Sequence, residues 1–490
     1  METSDIKPVP APAPESRFTV SPMTLAADRW MGRLIRFGGV GVVLAVFGML
    51  AFLIFQVFPL FTGAKVTAVG SLSVPANAVA FGEDEYGDFP YVVLADGKVV
   101  FQRAADGAKA HEWAPSLGDL RVTTVRSYPR AGLIFLGLSD GSVQELQVAY
   151  RSTFDAAGKR AIEPIVTPLA PISIGKPGVP CLEVWNAKGS QSRLMVVRQE
   201  AAGKPLLTAV RLTERKGLGG KARVTASAPF VVAADAASIE KVLLPSTAES
   251  LIVVGKSGEV RTYADDGTAF TFLQSFVPFK DSKDTAVASA GLIFGNVSVV
   301  FVGRSGEQQV WSMYPQVQPD GKSLRRWGKI HDGETLAGAG EGVYAAEGNK
   351  CYLAVAGGKL QIRNMTTGSL RWEGDAPSGS IRQLAFAGNY DRFTALSADG
   401  KLHRWSIVDH HPESSWGAFF GKIWYEGATG PDYTWQSSAG SDEFEAKYSL
   451  VPLLYGTAKG TIFALLFALP IALTAAIYVS QFLRPEYRNI

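Results

Sequence analysis

The sequence predicts a membrane-anchored, mostly-β protein in which a seven-bladed β-propeller-like domain is flanked by two transmembrane α-helices. Three observations carry that expectation. Two long uncharged segments lie near the ends of the 490-residue chain. Between them, a unit of apolar strand, polar-Gly turn and second strand recurs seven times. Glycine supplies 51 residues, about a tenth of the chain against a usual ~7%, with no G-X-Y period, which points to many tight turns.

Composition narrows the field further. Hydrophobic residues make up 47% and charged residues 19%, lean in charge for a soluble chain at about 25%. Lys+Arg at 48 against Asp+Glu at 45 leave +3, too small a surplus for a broad nucleic-acid surface, so no nucleic-acid partner is expected.

Taken in order, residues 1–28, with the Pro/Ala run Pro8 to Pro14, read as a disordered cytoplasmic tail. The first transmembrane helix is expected over 33–62. Phe37 to Thr62 carries no charge for 26 residues, where about 20 suffice to cross ~30 Å of hydrocarbon. Arg29, Arg33 and Arg36 precede it with only Asp28 to oppose them, which puts the N-terminus in the cytoplasm. A cleaved signal would have an apolar stretch of about 7–15 residues and a small-residue cleavage site, and neither fits.

The propeller-like domain is expected over 66–408. Its repeating unit is seen in YVVLADGKVVFQR (91–103), LIFLGLSDGSVQELQV (133–148), LIVVGKSGEVRTY (251–263), VVFVGRSGEQQVWSM (299–313), YLAVAGGKLQIRN (352–364) and FTALSADGKLHRWSI (393–407), with a weaker copy at 194–210. Asp-Gly or Ser-Gly between alternating strands is a strong hairpin signal, because Gly accepts the positive φ such turns need. The turn glycines Gly97, Gly141, Gly203, Gly258, Gly306, Gly358 and Gly400 are spaced by 44, 62, 55, 48, 52 and 42 residues. Such spacing suits four-stranded blades of ~40–50 residues with insertions. A pair of β-sandwiches would also be made of hairpins but gives no reason for seven recurrences.

Residues 412–448 read as an interfacial helix and linker. Trp416, Phe419, Phe420, Ile423 and Trp424 fall at helical spacing and predict a short amphipathic helix, lying in the membrane interface or packed on the propeller base. The second transmembrane helix is expected over 453–483, uncharged from Gly460 to Leu483. Arg484 and Arg488 follow it, whereas Asp442, Glu443 and Glu445 precede it, so the C-terminal end 484–490 is also cytoplasmic and the large domain periplasmic. Gly456, Gly460, Ala464, Ala468, Ala472 and Ala476 recur every fourth residue, the small-residue pattern by which membrane helices pack closely. Pro470 implies a kink and Lys459 can snorkel.

Signals for chemistry are weak, and no catalytic, cofactor or metal residues are assigned. GLGGKA (217–222) lacks the full spacing of a phosphate-binding loop and reads as a surface turn. ADDGT (264–268) reads as a hairpin turn. His410 and His411 adjoin, but consecutive side chains diverge and no further ligands complete a metal site. Cys181 and Cys351 permit a bridge or two buried thiols, and spacing does not decide between them.

The stretch 421–482, GKIWYEGATGPDYTWQSSAGSDEFEAKYSLVPLLYGTAKGTIFALLFALPIALTAAIYVSQF, resembles the entrance to the membrane core of the phosphate ABC transporter permease, PstC-type subunit, in its long proteobacterial form. WYEG, WQSS, DEFE and SLVPLLYGT carry the resemblance over about 70 residues, and over 1–415 it is architectural only. It implies an inner-membrane, multi-pass permease subunit for inorganic phosphate. Its partners would be a second permease subunit, a cytoplasmic ATPase dimer that hydrolyses the ATP, and a periplasmic phosphate-binding protein. The family's helices beyond this one and its coupling loop are missing, since the sequence stops at Ile490. The chain is therefore expected to be a fragment or to work with a separate partner, and no phosphate-handling residue is carried over.

The alternative is a membrane-anchored propeller acting as a scaffold or as a quinoprotein-like dehydrogenase. RNMTTGSLRW (363–372) resembles one copy of a quinoprotein repeat and LHRWSI (402–407) a WD-type blade end. The dehydrogenase reading further expects carboxylates clustered around the ring axis.

Overall fold

The computed structural model describes residues 21–154, 160–189, 193–216, 222–232, 239–265, 269–317, 321–440 and 444–482. Two compact units result, residues 1–62 and 63–490.

The described part of the first unit is the helix Pro22–Val57 and a 3-10 turn, Phe58–Phe61. Ser21 caps the helix by accepting from the Thr24 amide at 3.4 Å, and Pro22 occupies the first turn, where a missing N–H costs nothing. Residues 22–28, expected in a disordered tail, are therefore helical, because the cap lies well upstream of the uncharged run. This helix and Val451–Gln481 are both long and apolar enough to cross a membrane, and neither apolar stretch is buried.

The second unit is a seven-bladed β-propeller. Blade one is built from Ala78–Gly82, Tyr91–Leu94, Val99–Gln102 and Lys109–Trp113. The inner strands of blades two to seven are Val122–Tyr128, Cys181–Lys188, Ile239–Leu243, Val287–Leu292, Gly340–Ala345 and Ile381–Phe386. Each blade is an antiparallel sheet, and blades two and three carry an extra short strand. In blade seven the outermost strand, Lys65–Ser73, comes from the start of the domain and pairs with Lys401–Val408, Lys65 opposite Val408 and Ser73 opposite Lys401. The two ends of the domain thus share one sheet and close the ring.

All seven turn glycines read from the sequence sit between the second and third strands of a blade, with φ from +71° to +89°. At Gly258 the demand is double, since an added Cβ would also lie 1.8 Å from the Thr285 carbonyl oxygen.

The core is divided among the blade interfaces. Among the described residues, seven apolar clusters each join two neighbouring blades, including one of Phe81, Val92, Leu396 and Leu402 between blades one and seven. The strands alternate faces with period two, so both faces are buried. In Cys351–Ala356, Leu353 and Val355 face blade seven while Tyr352 and Ala354 face blade five. In Ser298–Gly303, Val299 and Phe301 join blade four while Val300 and Val302 join blade six. Burial on two sides explains runs such as VVFV, which a one-sided sheet would not tolerate.

Candidate functional site

Every inner strand breaks register at the same place. The skipped residues are Val79, Thr123, Leu182, Glu240, Ala288, Glu341 and Arg382, one per blade. A bulge bends its strand and sharpens its twist, so seven equivalent bulges flare the inner strands around one axis. The inner strands of all seven blades line a central cavity of about 510 Å³. Tyr128, Leu244 and Leu292 also line a second cavity of about 620 Å³.

Side chains stitch the inner strands together where backbone edges would otherwise lack partners. The Phe81 amide donates to Gln383 Oε1 at 2.8 Å, joining blades one and seven. The Asn186 amide donates to Tyr128 Oη at 2.8 Å, joining two and three. The Ser289 hydroxyl accepts from Lys241 Nζ at 3.2 Å and from the Val343 amide at 3.1 Å, linking four, five and six. Across one end of the channel, Arg130 of blade two reaches Glu347 of blade six, donating to its backbone carbonyl and lying 3.9 Å from its carboxylate.

The charged residues lining the central cavity are cations, Arg126, Lys241 and Arg382. Arg382 is committed to two carbonyls, Ala76 O at 2.8 Å and Ala78 O at 2.6 Å. Arg126 lies over the Tyr128 and Trp185 rings, 5.9 Å from each centroid. Burial, reinforced by the neighbouring Arg126 charge, lowers the Lys241 pKa to about 8. Glu183 is the nearby carboxylate and is held by Arg198 at 2.7 Å. Glu240 and Glu341 stand at exposed bulge positions. Among the described residues, the cavity lining carries these three cations and no carboxylate, where a quinoprotein reading expects a cluster of them.

A second constellation lies where the chain leaves the propeller. The aromatic stripe forms a helix only over Trp416–Phe420, which Ser415 caps and Gly421 ends. This corrects the expected continuation to Trp424. Gly421 is extended, and beyond it Trp424 packs onto the interface of blades five and six, 5.1 Å from the Tyr314 ring. Of the stripe, Phe419 is buried and Trp416 remains exposed. Tyr425 is buried as well, and Glu426 forms an ion pair with the enclosed Lys350 of blade six. Glu445 lies in the same cluster, and burial raises its pKa to about 7. The Leu450 amide donates to Phe419 O at 2.8 Å, fixing the start of Val451–Gln481 to the short helix.

Arg371 of blade six holds this corner together. Its backbone carbonyl accepts from the Ala64 amide at 3.0 Å, just before the closing strand. Its guanidinium donates to Asp409 and, at 3.0 Å, to Ser414 O, just after the last strand.

The remaining residues singled out in the sequence are scattered. Gly456, Gly460, Ala464, Ala468, Ala472 and Ala476 are exposed on Val451–Gln481, and open space surrounds a Cβ built at either glycine. The helix continues through Pro470, with Thr474 Oγ1 donating to Pro470 O at 2.9 Å. Lys459 Nζ lies 6.0 Å from the Phe463 ring centroid. Cys181 and Cys351 are buried and free in blades three and six, and burial pushes their thiols up to about 11 and about 12. His411 faces Glu413 at 3.5 Å. Asp265 is tied to Arg211, joining blades four and three. Residues 217–221 and 266–268 lie outside the described residues, as do Arg484 and Arg488. Sequence reasoning missed Arg126, Lys241 and Arg371, whose neighbours come from other blades.

No protein-family model matches this sequence, and no curated protein matches it. Among solved structures, a chain of a mitotic checkpoint complex is similar at 11% identity and a TM-score of 0.43, covering 71% of this chain and 92% of that one. The β-propeller domain of Cps50 (Swd1) from Myceliophteria thermophila is similar at 12% identity and a TM-score of 0.44, covering 70% of this chain and 100% of that one.

Proposed function

We propose that this chain forms the outer domain and the first membrane portion of a permease subunit of an ABC importer for inorganic phosphate. In this reading the propeller lies in the periplasm and both ends lie in the cytoplasm. The observation that carries it is the linker. Of the residues through which 421–482 resembles the phosphate permease, Trp424, Tyr425, Glu426 and Glu445 pack against the propeller just before Val451–Gln481 begins.

Two helices cannot shield a polar ion from lipid, so the conduit needs further helices. The exposed small-residue face from Gly456 to Ala476 suits close approach by them. ATP would be hydrolysed in a partner ATPase, and a periplasmic phosphate-binding protein would deliver the ion. A membrane-anchored propeller scaffold is the second reading, favoured by the ring, which closes without any permease core.

The test is radiolabelled phosphate uptake by cells at limiting phosphate, with and without the gene, together with disulfide trapping from Gly460→Cys. The permease reading expects lost uptake on deletion and a cross-link to a helix of the permease assembly. Unchanged uptake with no such cross-link overturns it and leaves the scaffold.

A further inference from the structure

We propose that the central channel of the propeller binds a small tetrahedral oxyanion, of the size and charge of phosphate or sulfate, between the Arg126 guanidinium and the Lys241 ammonium. This site is in the propeller and does not depend on the transport reading.

The argument begins with charge. Arg198, Arg126 and Lys241 all act electrostatically on one half-buried carboxylate, Glu183, and Arg198 already holds it at 2.7 Å. Glu240, the next acid, is exposed at the bulge. Arg126, itself exposed, and Lys241 therefore face a shared cavity together with Arg382, three cations whose nearby carboxylate, Glu183, is already engaged by Arg198.

Hydrogen bonding points the same way. Among the described residues, the Arg126 guanidinium has no carboxylate or carbonyl acceptor, only the two ring faces below it. Aromatic rings packed against the face of a guanidinium leave its edge N–H groups available to grip an oxyanion. Among the described residues, Lys241 donates to Ser289 alone, one of the three N–H groups an ammonium carries. The Ser289 hydroxyl accepts from Lys241 and from the Val343 amide, so its own proton remains to be given. Arg382, bound to Ala76 O and Ala78 O, adds field without competing for the anion. The cavity, about 510 Å³, admits such an anion with water around it.

Like charges held together by a fold are a means of binding the opposite charge, because the ligand relieves repulsion already present. A tetrahedral oxyanion meets both cations and the Ser289 hydroxyl with more acceptor oxygens than a monocarboxylate, and with more negative charge when doubly ionised.

The experiment uses the full chain in detergent at constant ionic strength, titrated by calorimetry with inorganic phosphate, sulfate and acetate. Phosphate or sulfate is expected to bind at least about tenfold more tightly than acetate, and Arg126→Met and Lys241→Met each to weaken binding by about tenfold or more. Arg382→Gln is expected to change it by less than about threefold. A second readout avoids any folding defect in the variants: acetylation of Lys241 in the unaltered protein, followed by mass spectrometry. Phosphate or sulfate should slow it several-fold while leaving surface Lys98 unaffected. Absence of binding by both oxyanions, equal affinity for acetate, or undiminished Lys241 acetylation in their presence overturns the proposal.

Discussion

Arg371 grips Asp409 with two prongs, Nη2 to Oδ1 at 2.6 Å and Nε to Oδ2 at 3.2 Å, and the two side chains are only 6% and 1% exposed. Removing the arginine would strand a buried carboxylate and loosen both ends of the propeller. Arg371→Ala is expected to cost about 3–5 kcal/mol, read as a lowered midpoint of chemical unfolding. A change within about 0.5 kcal/mol would contradict the clamp.

The turn glycines differ in what surrounds them. Gly258→Ala should be severely destabilising, because both its φ of +86° and the Thr285 carbonyl oppose a side chain. Gly203→Ala, at φ +71° with open space around it, should lose only about 1 kcal/mol. Comparing the two thermal midpoints isolates the close approach from the backbone preference.

Neither cysteine should react with maleimide in the folded protein, since both are buried with their thiols held at about 11 and about 12. Two adducts per chain are expected after denaturation without reductant, counted by intact mass. A native-state adduct would contradict the packing of blades three and six.

Glu445 predicts a pH dependence of definite sign. Burial raises its pKa from 4.5 to about 7, so the folded protein retains a proton that the unfolded chain releases. Its contribution to stability is therefore greatest below about pH 4.5, falls as pH rises towards 7, and changes little above that. Glu445→Gln should flatten this part of the thermal midpoint profile. An unchanged profile would separate Glu445 from the cluster with Lys350 and Glu426.

The seven hairpins were legible because a positive-φ turn selects Gly and a buried strand selects apolar residues, both visible locally. The seven bulges were not, since Val79, Thr123, Leu182, Glu240, Ala288, Glu341 and Arg382 share no side-chain chemistry. What they share is a place in the ring. Arg126 and Lys241 were hidden for a related reason, because only the curvature of the assembled blades brings them to one cavity. The stripe from Trp416 to Trp424 misled in the opposite way. Its spacing is helical, but the chain turns extended at Gly421 and Trp424 packs on the blade interface instead of continuing the helix.

The register that sets Lys65 opposite Val408 also fixes how the domain bears mechanical load. Antiparallel strands pulled apart from the same end give way one rung at a time, whereas strands drawn lengthwise in opposite directions resist with all rungs together. Tension drawing Ala64 and Asp409 apart would therefore peel this seam from its Lys65 end, with Arg371 as the first rivet to fail.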